Sequence, residues 1–108
     1  MELVEECYWI AALLPSSERF ELGSQLRRAS VSVPANICEG YARLHRGDYV
    51  RHLSFARGSL AEVNTLLIVI GRLRLSHEEE LTTARRVAAD VSRMLTTMLH
   101  TLTRTAKP

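Results

Sequence analysis

Apolar residues recur at steps of three and four along most of the chain, which is the pattern of helices that bury one face. Residues 2–13 form the first such stretch, and residues 16–21 follow it as a separate turn. The second stretch covers about residues 22–42, the third begins after a link at residues 44–47, and the fourth begins at Ser76. Proline and glycine are scarce, at three and five residues, which argues against a sheet protein with many turns.

The second predicted helix has a proline in its interior. Pro34 has no N–H group to donate to the carbonyl of Ser30, and its ring crowds that turn. The apolar phase nevertheless continues from Ala29 through Ile37. We therefore expect a second helix that is bent at Pro34 rather than broken there.

The third and fourth predicted helices repeat a heptad pattern of apolar residues. Ser76 and Glu79 match a capping box at the start of the fourth helix. Gly58 and Ser59 interrupt the third helix with small residues, which are usual where another helix comes close. Four amphipathic helices with short links predict an all-α fold, namely an antiparallel up-down-up-down four-helix bundle in one domain over residues 1–108.

A polar stripe accompanies the apolar seam of the second helix at the same spacing. Ser59 and Glu62 flank the seam of the third helix and are its expected partners. A structural interpretation is a network between helices in which arginines neutralise Glu39 and Glu62 and Asn36 bonds across. The other interpretation is a polar pocket or phosphate-binding face, and the structural one is favoured. The predicted network consists of Gln25, Arg28, Ser32, Asn36, Glu39, Arg43, Ser59 and Glu62.

Charge is distributed unevenly along the chain. Residues 1–18 have a net charge of −4, residues 19–57 have +4, and residues 58–108 have +2. Arg27, Arg46 and Arg51 fit the network poorly and are predicted to be exposed. They are either ordinary solvated arginines or a basic patch that neutralises phosphates and binds nucleic acid without reading its sequence.

Other chemistry has little support in the sequence. The histidines form no metal-ligating pair, and no phosphate loop or nucleophile motif is present, so we predict no metal, no cofactor and no enzymatic activity. Cys7 and Cys38 lie in apolar patterns without a CxxC motif and are predicted to be reduced core residues. The longest apolar run is too short to cross a membrane, and a cytoplasmic location is predicted.

Several motifs resemble those of a known family. They are Leu14-Pro15, Glu18, Phe20, Leu22, Gln25, Arg27-Arg28-Ala29, Ser32, residues 36–43, Asp48-Tyr49, Arg51, residues 56–60 and Glu62. In these motifs the chain is similar to the four-helix-bundle proteins encoded by intervening sequences in bacterial 23S rRNA genes, which are related to the accessory variability protein of diversity-generating retroelements.

The resemblance implies a homopentamer of four-helix bundles with no established enzymatic activity. In the retroelement relatives the ring is basic and has a reverse transcriptase and nucleic acid as partners. This chain departs from the family pattern in a short first helix, in His45 at a usual cap position, and in His52 at a usual aromatic position. The leading hypothesis is an oligomer that binds or accompanies RNA or DNA through arginines. The alternative is a protein-interaction scaffold with no nucleic-acid role.

Overall fold

The computed structural model describes residues 1–104, and these residues form helices joined by short links. No strand occurs among them, which confirms the all-α prediction. The short α2 is the separate turn that the sequence predicts between the first two long helices. The helices are α1 (Glu2–Leu13), α2 (Ser16–Arg19), α3 (Leu22–Tyr41), α4 (Arg46–Arg72) and α5 (Glu78–Arg104).

The four long helices pack as a ring of neighbours. Helix α3 packs against α1 and α4, and α5 packs against α4 and α1. The bundle measures 53 × 21 × 18 Å. Helices α3 and α4 are antiparallel, because Ser32 contacts Ser59 while Tyr41, further along α3, contacts Tyr49, which is earlier in α4. The up-down-up-down order of all four long helices stays a prediction.

Helix α3 is continuous through Pro34, as the unbroken apolar phase predicts. A bend at this position stays a prediction. The apolar seam of α3 is buried at Leu26, Ala29 and Val33, with Ile37 partly buried beside it. This seam fixes which face of α3 is turned inward, and it thereby leaves the polar stripe at the edges of the buried face.

The core is almost entirely aliphatic. Burial of one leucine or isoleucine side chain contributes about 1.5–3 kcal/mol relative to exposure, so these residues supply most of the favourable free energy of folding. The largest fully buried side chains are Leu3, Ile10, Leu14, Leu26, Leu53, Leu67, Ile70, Leu81, Leu95, Val33, Val63 and Cys7.

Helix α4 is long and apolar enough to cross a membrane when it is judged by length and composition alone. Its apolar seam is nevertheless part of the bundle core, and α4 packs against both α3 and α5. A helix that packs against two neighbours is expected to be apolar on more than one side. The apolar character of α4 is thus accounted for by the bundle.

The link between α4 and α5 differs from its sequence prediction. Arg74 has a φ of 57°, and the N–H of Leu75 donates to the carbonyl of Ile70 at 3.0 Å, which closes the end of α4. The predicted capping box is wrong, because the Ser76 hydroxyl bonds to Glu80 Oε2 at 3.2 Å and not to Glu79. The capping pattern assumes that the helix begins directly after Ser76, whereas α5 begins at Glu78.

Two smaller predictions are also corrected. Cys7 is buried as predicted, but Cys38 is exposed, because it lies on the outer face of α3 rather than in its seam. The polar composition of residues 103–108 predicts that this tail frays, and the prediction falls partly outside the described residues. Thr103 and Arg104 are still helical in α5.

Candidate functional site

A polar cluster joins α3 to α4 at the middle of the bundle. The amide nitrogen of Asn36 donates to the carbonyl of Ser32 at 2.8 Å and to Ser32 Oγ at 3.0 Å. The hydroxyl of Ser59 on α4 donates to the same Ser32 Oγ at 2.8 Å. Of the residues predicted to form a network between helices, Ser32, Asn36 and Ser59 are therefore brought together.

His52 is a further member of this cluster that sequence reasoning did not assign to it. Its Nδ1 lies 3.3 Å from Asn36 Oδ1, and its ring is buried edge-on against Phe55, with ring centroids 5.6 Å apart. Since Asn36 Oδ1 can only accept, His52 Nδ1 is assigned the proton. The signal in the sequence is the seven-residue spacing from His52 to Ser59, which places both on one side of α4.

The backbones of α3 and α4 also approach each other closely near these hydrogen bonds. A Cβ atom built on Gly40 would lie 2.7 Å from His52 Cβ and 3.1 Å from Tyr49 Cδ1. Only glycine fits at this point of the α3–α4 contact. Gly58 differs, since a Cβ there would have no neighbour within 4 Å in the described part of the chain, so the predicted close approach at Gly58 is not present within one chain.

The charged members of the predicted network do not join the cluster. Glu39 pairs at 3.7 Å with Arg43, which lies just beyond the end of α3, and both side chains are about half exposed. Arg28 and Glu62 are exposed and form no ion pair with another residue of the described chain. Gln25 is partly buried, and its side chain makes no hydrogen bond within residues 1–104. The prediction that arginines neutralise Glu39 and Glu62 across the two helices is wrong. Long charged side chains at the edge of the seam can extend into water, and they thereby avoid the free-energy cost of desolvation.

The three arginines predicted to contact nucleic acid do not form one patch. Arg27 lies near the start of α3, whereas Arg46 and Arg51 lie at the start of α4, beside the end of α3. A rise of 1.5 Å per residue separates Arg27 from Tyr41 by about 21 Å along the axis of α3. Arg51 pairs with Asp48 at 3.1 Å, and Arg27 is partly buried rather than exposed.

A cleft between α1 and α3 is the most chemically specific concavity on the bundle. We call it the α1–α3 cleft; its volume is about 360 Å³. Two arginines that are neighbours in sequence, two serines, a tyrosine and a valine line this cleft. Such a set can donate several hydrogen bonds to an anion and stack against a flat group. The lining residues are Tyr8, Ser24, Arg27, Arg28, Val31 and Ser32.

Two further groups bear on chemistry. Burial raises the pKa of the Cys7 thiol to about 12, and the nearby carboxylate of Glu6 adds to the increase. A thiol that stays protonated is a poor nucleophile and a poor metal ligand. Within residues 1–104, no three His, Cys, Asp or Glu side chains are close enough together to hold a metal ion.

The sequence over residues 1–97 matches the model of the family described as 23S rRNA-intervening sequence protein. The chain belongs to this family. The match includes α1 to α4 and most of α5, so the polar cluster and the α1–α3 cleft both lie within the family region. No curated protein sequence matches the chain.

The fold of this 23S rRNA-intervening sequence protein is similar to a solved structure. That structure is a crystal structure, at 1.70 Å resolution, of a protein of unknown function from the S23 ribosomal protein family of Bacteroides thetaiotaomicron. The TM-score is 0.75 at 18% sequence identity, over 90% of this chain and 97% of the other. At this identity the likeness shows the fold and not the function.

Proposed function

We propose that this 23S rRNA-intervening sequence protein is a non-enzymatic, cytoplasmic oligomer that binds nucleic acid through arginines of α3 and the start of α4. The observation that supports the proposal is an excess of arginines over acids in one segment of the chain. Residues 19–57 have seven arginines and three acids. Two of those acids, Glu39 and Asp48, pair with Arg43 and Arg51.

Unneutralised arginines on a helical surface attract phosphates and release counterions from nucleic acid when they bind. Arg27, Arg28 and Arg57 have no carboxylate within 4 Å among residues 1–104. Contacts of this kind position a phosphate backbone and carry no sequence information. The expected activity is therefore binding that depends strongly on salt and weakly on sequence.

The test is titration of a fluorescently labelled RNA, followed by anisotropy, with the triple variant Arg27→Gln, Arg46→Gln, Arg51→Gln. We expect the variant to bind at least about tenfold more weakly than wild type and with a shallower salt dependence. The control is Arg72→Gln, Arg86→Gln, Arg93→Gln, which removes the same charge; Arg93 pairs with Asp90 as Arg51 pairs with Asp48. Equal affinity for wild type and the first variant, or equal weakening by both variants, would contradict the proposal.

The proposal includes assembly into a homopentamer, as the resemblance to the retroelement relatives implies. In support, several large apolar side chains are exposed on a single chain, and burying them between copies would favour association through the hydrophobic effect. They include Trp9, Leu13, Phe20, Leu44, Phe55 and Ile68. Light scattering at micromolar concentration should give five times the mass of the 12.2 kDa chain, and a mass of one chain would exclude the ring.

The same exposed side chains also favour the second candidate function, a protein-interaction scaffold with no nucleic-acid role. Trp9 and Phe20 are 58% and 81% exposed, and aromatic side chains are enriched at protein interfaces. The two functions differ in one outcome. If the scaffold is the function, the triple variant and wild type retain RNA equally poorly, while the oligomer still forms.

A further inference from the structure

We infer that the α1–α3 cleft binds one nucleotide of a single strand, with its phosphate on Arg27 and Arg28 and its base against Tyr8. The inference rests on the proposed function and assigns a specific site to it. It adds a requirement that a basic surface alone does not have, namely an unpaired base. Three features of the cleft support it.

The first feature is a pair of arginines, adjacent in sequence, without a carboxylate partner. Arg27 and Arg28 both line the cleft, and neither forms an ion pair or a side-chain hydrogen bond with residues 1–104. By contrast, carboxylates close in sequence pair with Arg43, Arg51, Arg85 and Arg93. Guanidinium donors in a fork geometry match phosphate oxygens, so two of them at one cleft favour a phosphate over an isolated halide or a neutral group.

The second feature is a pair of serine hydroxyls at the cleft. Ser32 lines the cleft, and its Oγ is held by hydrogen bonds with Asn36 Nδ2 and Ser59 Oγ. Ser24 adds a second hydroxyl one helix turn from Arg27 and Arg28. A serine hydroxyl can donate to a phosphate oxygen.

The third feature is an aromatic ring next to an apolar floor. Tyr8 on α1 and Val31 on α3 line the same cleft, and Tyr8 is 44% exposed. Single-stranded nucleic acids bind by stacking bases on such rings while basic groups hold the backbone. A volume of about 360 Å³ is at the small end for ligand sites, which suits one nucleotide rather than a duplex.

The test compares four binding partners of the full chain: a labelled single-stranded RNA of about 12 nucleotides, the same sequence as a duplex, UMP, and inorganic phosphate. We expect the single strand to bind more tightly than the duplex, and UMP to compete better than phosphate. Tyr8→Leu should weaken single-strand binding at least about fivefold, whereas Tyr8→Phe, which keeps the ring, should stay within about twofold of wild type. Arg28→Gln should weaken it about tenfold.

Arg86→Gln is the matched control, because it removes one exposed arginine charge from α5, far along the chain from the cleft. It should change single-strand binding by less than about twofold. Thermal unfolding of every variant checks that the fold is retained. Glu5 lies one turn before Tyr8 on α1, so Glu5→Gln should strengthen binding slightly by removing a repelling carboxylate.

The outcomes separate this inference from the proposed function. If wild type binds RNA with strong salt dependence while Tyr8→Leu and Arg28→Gln bind equally well, the cleft inference is wrong and the proposed function stands. If wild type binds UMP through Arg28 but no RNA, the proposed function is wrong and the cleft is a site for free nucleotides. Binding of neither UMP nor RNA overturns both.

Discussion

The interface of α3 with α4 and the interface of α4 with α5 are built differently. Between α3 and α4, Ser32 bonds to Ser59, Asn36 bonds to His52, and Gly40 allows the backbones to approach closely. The buried residues of helix α5 are instead all aliphatic. They are Leu81, Ala84, Val87, Ala88, Val91, Leu95 and Leu99.

The difference shows a division between stability and specificity. Apolar burial contributes a large free energy but tolerates small shifts between helices. Hydrogen bonds are directional, and the close backbone approach at Gly40 needs the glycine to lie at one position, so both features specify a single register. Ser32 belongs to the α3–α4 interface and also lines the α1–α3 cleft. The polar side of the bundle therefore both fixes the register of α3 against α4 and contributes a residue to the candidate ligand site.

The largest effect is expected on the apolar side. Leu95 is fully buried on α5, and Leu95→Ala should lower the free energy of unfolding by about 2–5 kcal/mol through lost burial and a residual cavity. Urea unfolding at one fixed protein concentration measures this. Ser92→Ala, on the exposed face of the same helix, should change it by less than about 0.5 kcal/mol. A loss below about 1 kcal/mol for Leu95→Ala would show that α5 is not a main source of stability.

A pair of glycine substitutions tests the close approach of α3 and α4. Gly40→Ala should destabilise the protein by about 1–3 kcal/mol, because the added methyl group would overlap His52 Cβ. Gly58→Ala, where nothing lies within 4 Å, should stabilise it by up to about 1 kcal/mol through helix propensity. The sign of the two changes in thermal unfolding is the readout. Stabilisation by both would contradict the tight contact at Gly40.

The hydrogen bond from α4 to Asn36 should have a smaller effect. Asn36→Ala leaves His52 Nδ1 without its acceptor, and the expected cost is about 1–2 kcal/mol. Asn64→Ala is the control, since Asn64 is also partly buried and its side chain makes no hydrogen bond within residues 1–104. Equal effects of the two substitutions in urea unfolding would show that the polar cluster adds nothing to stability.

A buried thiol gives the smallest effect. Burial raises the pKa of the Cys7 thiol to about 12 from its ordinary value of 9.0. As the pH rises, the thiol therefore ionises in the unfolded chain before it ionises in the folded protein. The thiol therefore stabilises the fold fully below pH 9, and this contribution is lost as the pH rises from 9 to 12. It amounts to about 1 kcal/mol of lost stability at pH 10.

The check is to follow unfolding against pH for wild type and Cys7→Ala. The variant is less stable at neutral pH, because a buried side chain is truncated. It should nevertheless lose less stability than wild type between pH 9 and pH 10. Parallel profiles for the two proteins would mean that Cys7 is not protected from ionisation in the folded state.

Much of the fold could be predicted from the sequence, because periodicity reports directly on which face of a helix is buried. The bounds of α1 and the continuity of α3 through Pro34 follow from it, as does the contact of Ser32 and Asn36 with α4. Short polar side chains near a seam have little freedom, so their spacing suffices to place them. His52 was not assigned to the cluster, since a lone histidine beside a seam is equally consistent with several environments.

The charged residues could not be placed in the same way. Arg28 and Glu62 have long side chains whose ends can lie on either side of a helix, and spacing fixes only their Cα positions. The α1–α3 cleft depends on how α1 lies against α3, which no local pattern encodes. For this reason Tyr8 did not stand out in the sequence, and Arg27 and Arg28 were separated into different predicted groups.

Binding of a labelled single-stranded RNA by wild type and by Arg28→Gln, at about 50 mM and about 200 mM salt, tests the central claim most directly. We predict that wild type binds, that its affinity falls steeply with salt, and that Arg28→Gln binds about tenfold more weakly with a shallower salt dependence. Identical salt dependences and affinities for the two proteins, or no binding by wild type at the lower salt concentration, would contradict it.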